Sequence, residues 1–177
     1  MLRPEIGEYS PNYLQYLKLL PDGDILEILE QQGRTTFELF NRLSEQNALY
    51  RYDPDKWCIK EIMQHLIDTE RVFAYRALRI SRGDTTPLPS FDQDEFIRNS
   101  NVLQRLLSDL ATEYQSVRSA SLTLFRALDE EMTLRMGTAS GNLLTVRSIP
   151  CIIAGHELHH SNVVREKYLK KLPLQQT

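Results

Sequence analysis

The sequence predicts an all-α four-helix bundle, and three observations carry that expectation. Four segments repeat apolar residues at i, i+3, i+4 and i+7, the period that lines one face of an α-helix. Strand-like alternation is almost absent; the best stretch, Leu143 to Val146, is too short to stand alone. The chain has 177 residues, 41% of them hydrophobic, which suits one ordinary apolar core. Residues 1–177 therefore read as one domain, with residues 1–20 as an N-terminal extension.

A short helical piece around Asn12 to Leu20 precedes Pro21. The first long helix runs from about Asp24 to Ser44 on Ile25, Ile28, Leu29, Phe37, Phe40 and Leu43, and Gly33 weakens its middle. The second runs from about Ile59 to Ser81 on Ile59, Ile62, Met63, Leu66, Phe73, Ala77 and Ile80. Gly83 stops it, and Pro87 and Pro89 favour extended chain beyond. The third, from about Ser100 to Leu128, is carried by Leu103, Leu106, Leu107, Leu110, Val117, Leu124 and Leu128. The fourth spans about Val146 to Lys171. Lys167, Lys170 and Lys171 suit the negative end of its dipole, and Pro150 fits only near its first turn. Long helices favour a bundle over globin-like packing. The connections from Gly83 to Asn99 and from Glu130 to Thr145 exceed tight hairpin loops, so either can cross the bundle diagonally.

Composition narrows the function. A net charge of -3 and a pI near 5.8 give no electrostatic footprint for nucleic acid. No stretch approaches the roughly 18 consecutive apolar residues of a membrane span. Cys58 and Cys151 are too few for a disulfide framework and read as reduced thiols. The segment from Met1 to Ser10 lacks the apolar h-region of a secretory signal, so a cytoplasmic protein is expected. No glycine-rich phosphate loop or dinucleotide fingerprint is present. Arg105, Asp109, Glu113 and Arg118 read as a solvated face of the third helix.

Three of the four histidines, His156, His159 and His160, sit together, and the fourth, His65, lies in the second helix. His156 and His160 are i and i+4, neighbours on one helical face, and Ile149, Ile153, Val163 and Val164 share that stripe. His159 falls at its edge and reads as solvated. His65 lies at the border of its apolar face beside Ile62, Thr69 and Phe73, with Cys58 and Arg76 on the same strip. A buried imidazole without a partner costs roughly 1–3 kcal/mol. A shared metal ion would relieve three at once, and three protein ligands leave room for water, as in catalytic sites. The structural alternative is a set of hydrogen-bonded core histidines.

His156-Glu157-Leu158-His159-His160 also spells H-E-x-x-H, in which the glutamate would be the general base of a metalloprotease. The extended signature requires Gly and His where this chain has Val163 and Glu166, and no sheet is expected for a substrate strand to join. A third ligand must then come from upstream, where His65 is the only histidine.

Trp57, Lys60-Glu61-Ile62, His65, Asp68-Thr69-Glu70 and Arg76 are similar to the second helix of the DinB/YfiT-like proteins. Ala154-Gly155-His156-Glu157-Leu158-His159-His160 resembles their last-helix motif, and the resemblance covers roughly Asp24 to Lys171. It implies a bundle in up-down-down-up order, often a homodimer. It also implies a divalent metal held by His65, His156 and His160, the trio that helical geometry selects. Family members with assigned activity tend to be metal- and thiol-dependent transferases or isomerases, and others are hydrolases. The expected cofactor is Zn²⁺ or Ni²⁺; the expected partners are a small electrophile and a low-molecular-weight thiol.

Two alternatives stay open. One is a metal-dependent hydrolase with Glu157 as base; the other is a non-catalytic, stress-related metal-binding protein. Asp68 and Glu70 stand near in sequence as possible hydrogen-bond partners of the ligand imidazoles. Trp57 reads as closing the end of a core, Cys58 as a small buried hydrophobe, and Arg76 and Arg147 as surface ion pairs, with anion binding the alternative for both arginines.

Overall fold

The computed structural model describes residues 1–172, so the last five residues of the predicted 1–177 domain lie outside the described residues. A 3-10 turn at Pro11–Tyr13 leads into the single-turn α1 (Leu14–Leu17). α2 (Ile25–Asn41) begins at Asp24, whose carboxylate accepts from the Leu26 and Glu27 amides at 2.8 and 3.3 Å. The chain's own N-terminal ammonium reaches the same carboxylate at 2.5 Å. A short α3 (Glu45–Ala48) precedes α4 (Ile59–Ser81), whose first turn closes as the Cys58 amide donates to Glu61 at 2.6 Å. α4 stops as the sequence predicts, with Gly83 at φ +82°.

The remaining helices are α5 (Gln93–Arg98), α6 (Leu107–Arg126), α7 (Glu130–Leu134) and α8 (Ser148–Val163). α6 starts later than its apolar period suggests. Leu103 and Leu106, which extended that period upstream, are 49% and 57% exposed and lie on a connecting segment. The helix begins where Glu45 accepts from the Leu107 amide at 2.7 Å. α8 also ends earlier than Lys171. Beyond Val163 the chain takes a π-helical turn (Val164–Tyr168) and a 3-10 turn (Leu169–Lys171), and Tyr168 is buried with its hydroxyl donating to the Trp57 carbonyl at 2.6 Å.

Between α7 and α8 lies an antiparallel hairpin of β1 (Met136–Ala139) and β2 (Asn142–Thr145). Its two-residue turn, Ser140-Gly141, has positive φ at both positions (52° and 74°), the geometry that matches strand twist. Leu88 adds an extended edge, its amide donating to the Thr138 carbonyl at 2.9 Å. Gly137 presses on α4, where an added Cβ would lie 2.5 Å from Ile80.

Helix order follows from which residues meet. Along α2 and α6, Glu30 meets Arg126 and Gly33 meets Arg118, so these helices are antiparallel. Gln64 of α4 meets Arg105, two residues before α6, and Arg71 meets Glu113 further along, so these helices are parallel. α2 and α8 are parallel through Gln32–Ala154 and Thr36–Glu157. α4 and α8 are antiparallel, with His65 meeting His156 along them and Trp57, just before α4, meeting Tyr168, just after α8. The bundle is therefore up-down-down-up, with α2 and α4 flanked on each side by α6 and α8. Such an order demands long connections, which α5 and the hairpin segment provide.

The apolar interior divides into two clusters. One includes Ile25, Leu29, Phe73, Ile80, Phe125 and Ile152; the other includes Phe40, Ile62, Met63, Leu110, Tyr114 and Val164. Polar residues from all four long helices occupy the level between them, and there the candidate site lies.

Candidate metal centre

His65 projects from the middle of α4 and His156 and His160 from successive turns of α8. The antiparallel crossing brings all three Nε2 atoms together. His65 Nε2 lies 3.0 Å and His160 Nε2 3.1 Å from His156 Nε2. One ring nitrogen has a single proton or a single lone pair, so His156 can satisfy only one of these neighbours. A cation among them satisfies all three. Zn–N bonds in a tetrahedral site put ligand nitrogens about 3.3 Å apart, close to the two separations from His156, and all three ligand atoms lie within 4.8 Å of one another.

The imidazoles are poised as neutral donors. Burial pushes His65 down to about 4. It also pushes His160 down to about 3, helped by the other rings, and holds His156 well below the ordinary range. The His65 Nδ1 lies 3.4 Å from the Thr69 hydroxyl, a weak contact that leaves Nε2 facing its partners. Trp57 packs against the His65 ring at 4.9 Å between centroids, so it walls the histidines as well as closing the core. Asp68 accepts instead from Gln64 at 2.9 Å, and Glu70 is taken by Arg118; neither meets a histidine.

His159 stays out of the cluster, half-buried, its ring against Tyr16 and His160. Cys58 is fully buried at the start of α4 and apart from the trio. Burial pushes its thiol up, and pushes Cys151 up to about 11, so neither is an activated nucleophile. Arg147 forms an ion pair with Glu8, whose carboxyl that guanidinium holds below its usual range.

Glu157 departs from the general-base reading. Next to His156 on the helix, it points about 100° away into the polar layer. Its Oε1 accepts from Thr36 at 2.5 Å and Tyr114 at 2.6 Å, and its Oε2 pairs with Arg118. Arg118 also grips Glu70 through Nε and Nη2 at 2.9 and 2.8 Å and donates to the Leu29 carbonyl at 2.8 Å. Arg118 is 3% exposed, a correction to its reading as part of a solvated face. Arg76 is buried too, not a surface ion pair: its Nη2 donates to the Pro89 carbonyl and the Ser140 hydroxyl, each at 2.8 Å.

The N-terminal segment is part of this architecture. Tyr16 of α1 packs edge-on against His156 at 5.4 Å, because Gly155 lets α1 approach α8. A Cβ at Gly155 would sit 2.3 Å from the Tyr16 carbonyl oxygen. Gly155→Ala is expected to push α1 off the site and cost about 1–3 kcal/mol. Urea denaturation checks this, and a change under about 0.5 kcal/mol, the range of an ordinary surface substitution, would contradict it.

Among the described residues no helix is long and apolar enough to cross a membrane. No curated protein matches the chain. Among solved structures it resembles YfiT from Bacillus subtilis, described as a probable metal-dependent hydrolase with an unusual four-helix bundle topology. The TM-score is 0.65 at 13% identity, over 93% of this chain and 92% of YfiT. It also resembles YjoA, a DinB-like protein of Bacillus subtilis, with a TM-score of 0.58 at 23% identity over 88% of this chain and 99% of YjoA. At such identities the likeness is one of fold. The family itself is established by sequence, since the DinB superfamily profile matches residues 28–164, from α2 through the histidine pair of α8, and the chain belongs to that superfamily.

Proposed function

We propose that His65, His156 and His160 bind a divalent metal ion, Zn²⁺ or Ni²⁺, in a transferase that joins a low-molecular-weight thiol to a small electrophile. The observation that carries this reading is the convergence of three Nε2 atoms beside an open cavity of about 230 Å³, which His65 and His156 line. A bound ion would supply a strong local positive charge that stabilises a thiolate or hydroxide at neutral pH. The chain's own residues do the rest. The three imidazoles stay neutral and preserve that charge, while Tyr16 and Ile152 wall the cavity and restrict water.

Thiol chemistry is favoured over hydrolysis because no carboxylate lines the cavity among the described residues. With Glu157 held by Arg118, Tyr114 and Thr36, no such group stands ready to take a proton from water. A thiol, with a free pKa near 8.5, needs less help. The hydrolase reading is second, supported by the description of YfiT. The test is adduct formation between a small thiol such as cysteine and 1-chloro-2,4-dinitrobenzene on zinc- or nickel-loaded protein. Catalysis that disappears on chelation is the expected result. Metal-dependent ester cleavage without thiol would transfer the assignment to the second reading, and neither activity would leave a binding protein.

A further inference from the structure

The helical stripe that carries His65 continues to Arg76. Eleven residues bring the two side chains to within about 20° of one direction on α4, with their Cα atoms about 16 Å apart along the axis. Both line the same cavity, with Thr69 and Phe73 between them. Helical side chains lean toward the N-terminus, so Arg76 leans back toward the histidines.

Arg76 is 2% exposed, yet among the described residues no carboxylate lies in salt-bridge range of it. The other two buried arginines do have acidic partners: Arg118 has Glu70 and Glu157, and Arg147 has Glu8. The guanidinium is held by neutral groups only. Pro89 and Ser140 accept from Nη2, and the Phe73 and Phe91 rings lie 5.0 and 5.9 Å from its carbon. Burial pulls Arg76 below the ordinary arginine value, and only the Tyr13 hydroxyl works against that. An arginine ordered in this way, buried and lacking a counter-charge, is arranged for an anion that arrives from outside. Among the described residues the cavity lining has no lysine and no second arginine, so the charge that its Arg76 end can balance is single. That suits the planar fork of a carboxylate better than a phosphate dianion.

We propose that Arg76 determines substrate specificity: the cavity takes a small molecule with a carboxylate at the Arg76 end and its reacting atom at the three histidines. The orientation rests on the metal-site reading, and the test separates the two. Zinc-loaded protein is titrated calorimetrically with ω-mercaptocarboxylates of increasing chain length and with the ω-mercaptoalcohols of the same lengths. At the best length the carboxylate is expected to bind at least about tenfold more tightly than its alcohol, the scale of one charge-assisted pair. In Arg76→Met that preference is expected to fall to within about twofold with metal content unchanged.

Equal affinity of wild-type protein for acid and alcohol at every length would overturn the proposal and leave the metal reading intact. This comparison needs no variant, so it decides the matter even if Arg76→Met fails to fold. Wild-type protein that holds no zinc after dialysis and binds neither probe would overturn the metal reading, and the proposal with it.

Discussion

His65→Ala protein, loaded with zinc and dialysed, is expected to retain less than about a tenth of the wild-type metal. Losing merely an outer hydrogen-bond partner of a ligand commonly costs about 10–100-fold in affinity, and losing a ligand costs more. His156→Ala and His160→Ala should behave alike, because the three Nε2 atoms form one cluster. His159→Ala should stay near wild type, since its ring packs on Tyr16 and His160 outside that cluster. A protease-like H-E-x-x-H site makes the opposite claim about His65, which would then be dispensable. Elemental analysis of the dialysed proteins separates the two. Equal metal in wild type and His65→Ala would sink the cross-helix site. The same ligation should raise the melting temperature of wild-type protein on metal addition and leave that of His65→Ala nearly unmoved.

Arg118→Met should be the most destabilising single change in the bundle, at about 3–5 kcal/mol, because it strands two carboxylates in the interior. Glu70 and Glu157 are each buried, and among the described residues Arg118 is the one cation paired with either. Glu157→Gln should cost less, about 1–3 kcal/mol, since Arg118 keeps its two bonds to Glu70 while Glu157 loses its charge-assisted bond. Urea denaturation measures both. The second substitution also tests the role of Glu157 in chemistry: metal content should stay at the wild-type level and the fold should weaken. A Glu157→Gln protein of wild-type stability that had lost only turnover would restore the general-base reading.

The helices that were legible in the sequence are those whose apolar period and boundary signals coincide. α4 begins at Ile59 and ends at Ser81, where the period and Gly83 place it. α2 loses only its last turn. α6 starts later than the apolar period indicates because Leu103 and Leu106 continue that period through a connection that Lys60 and Glu45 hold from neighbouring helices. The hairpin was only weakly readable, since Ser140-Gly141 is a turn signal but Met136–Ala139 carries Gly137 and Thr138 rather than an apolar run. Each strand has only four residues, and the pair is stabilised by Leu88, far away in sequence.

The candidate site divides along the same line. Spacing alone identified His156 and His160 as neighbours on one helical face, and elimination brought in His65, because i, i+4 geometry is a local property of the chain. Spacing could not tell that Glu157 turns into a buried ion network, or that Arg76 and Arg118 lie inside. A polar residue on a helix looks the same in sequence whether it faces water or a partner. Arg118 became an interior residue only when α4 and α8 brought Glu70 and Glu157, 48 and 39 residues away, against α6. The sequence by itself determined the four long helices, within a turn or two at some ends, and the local pairing of His156 with His160. The tertiary structure decided which charges are compensated in the core, because that compensation comes from other helices, and among the described residues it left Arg76 facing the cavity without an acidic partner.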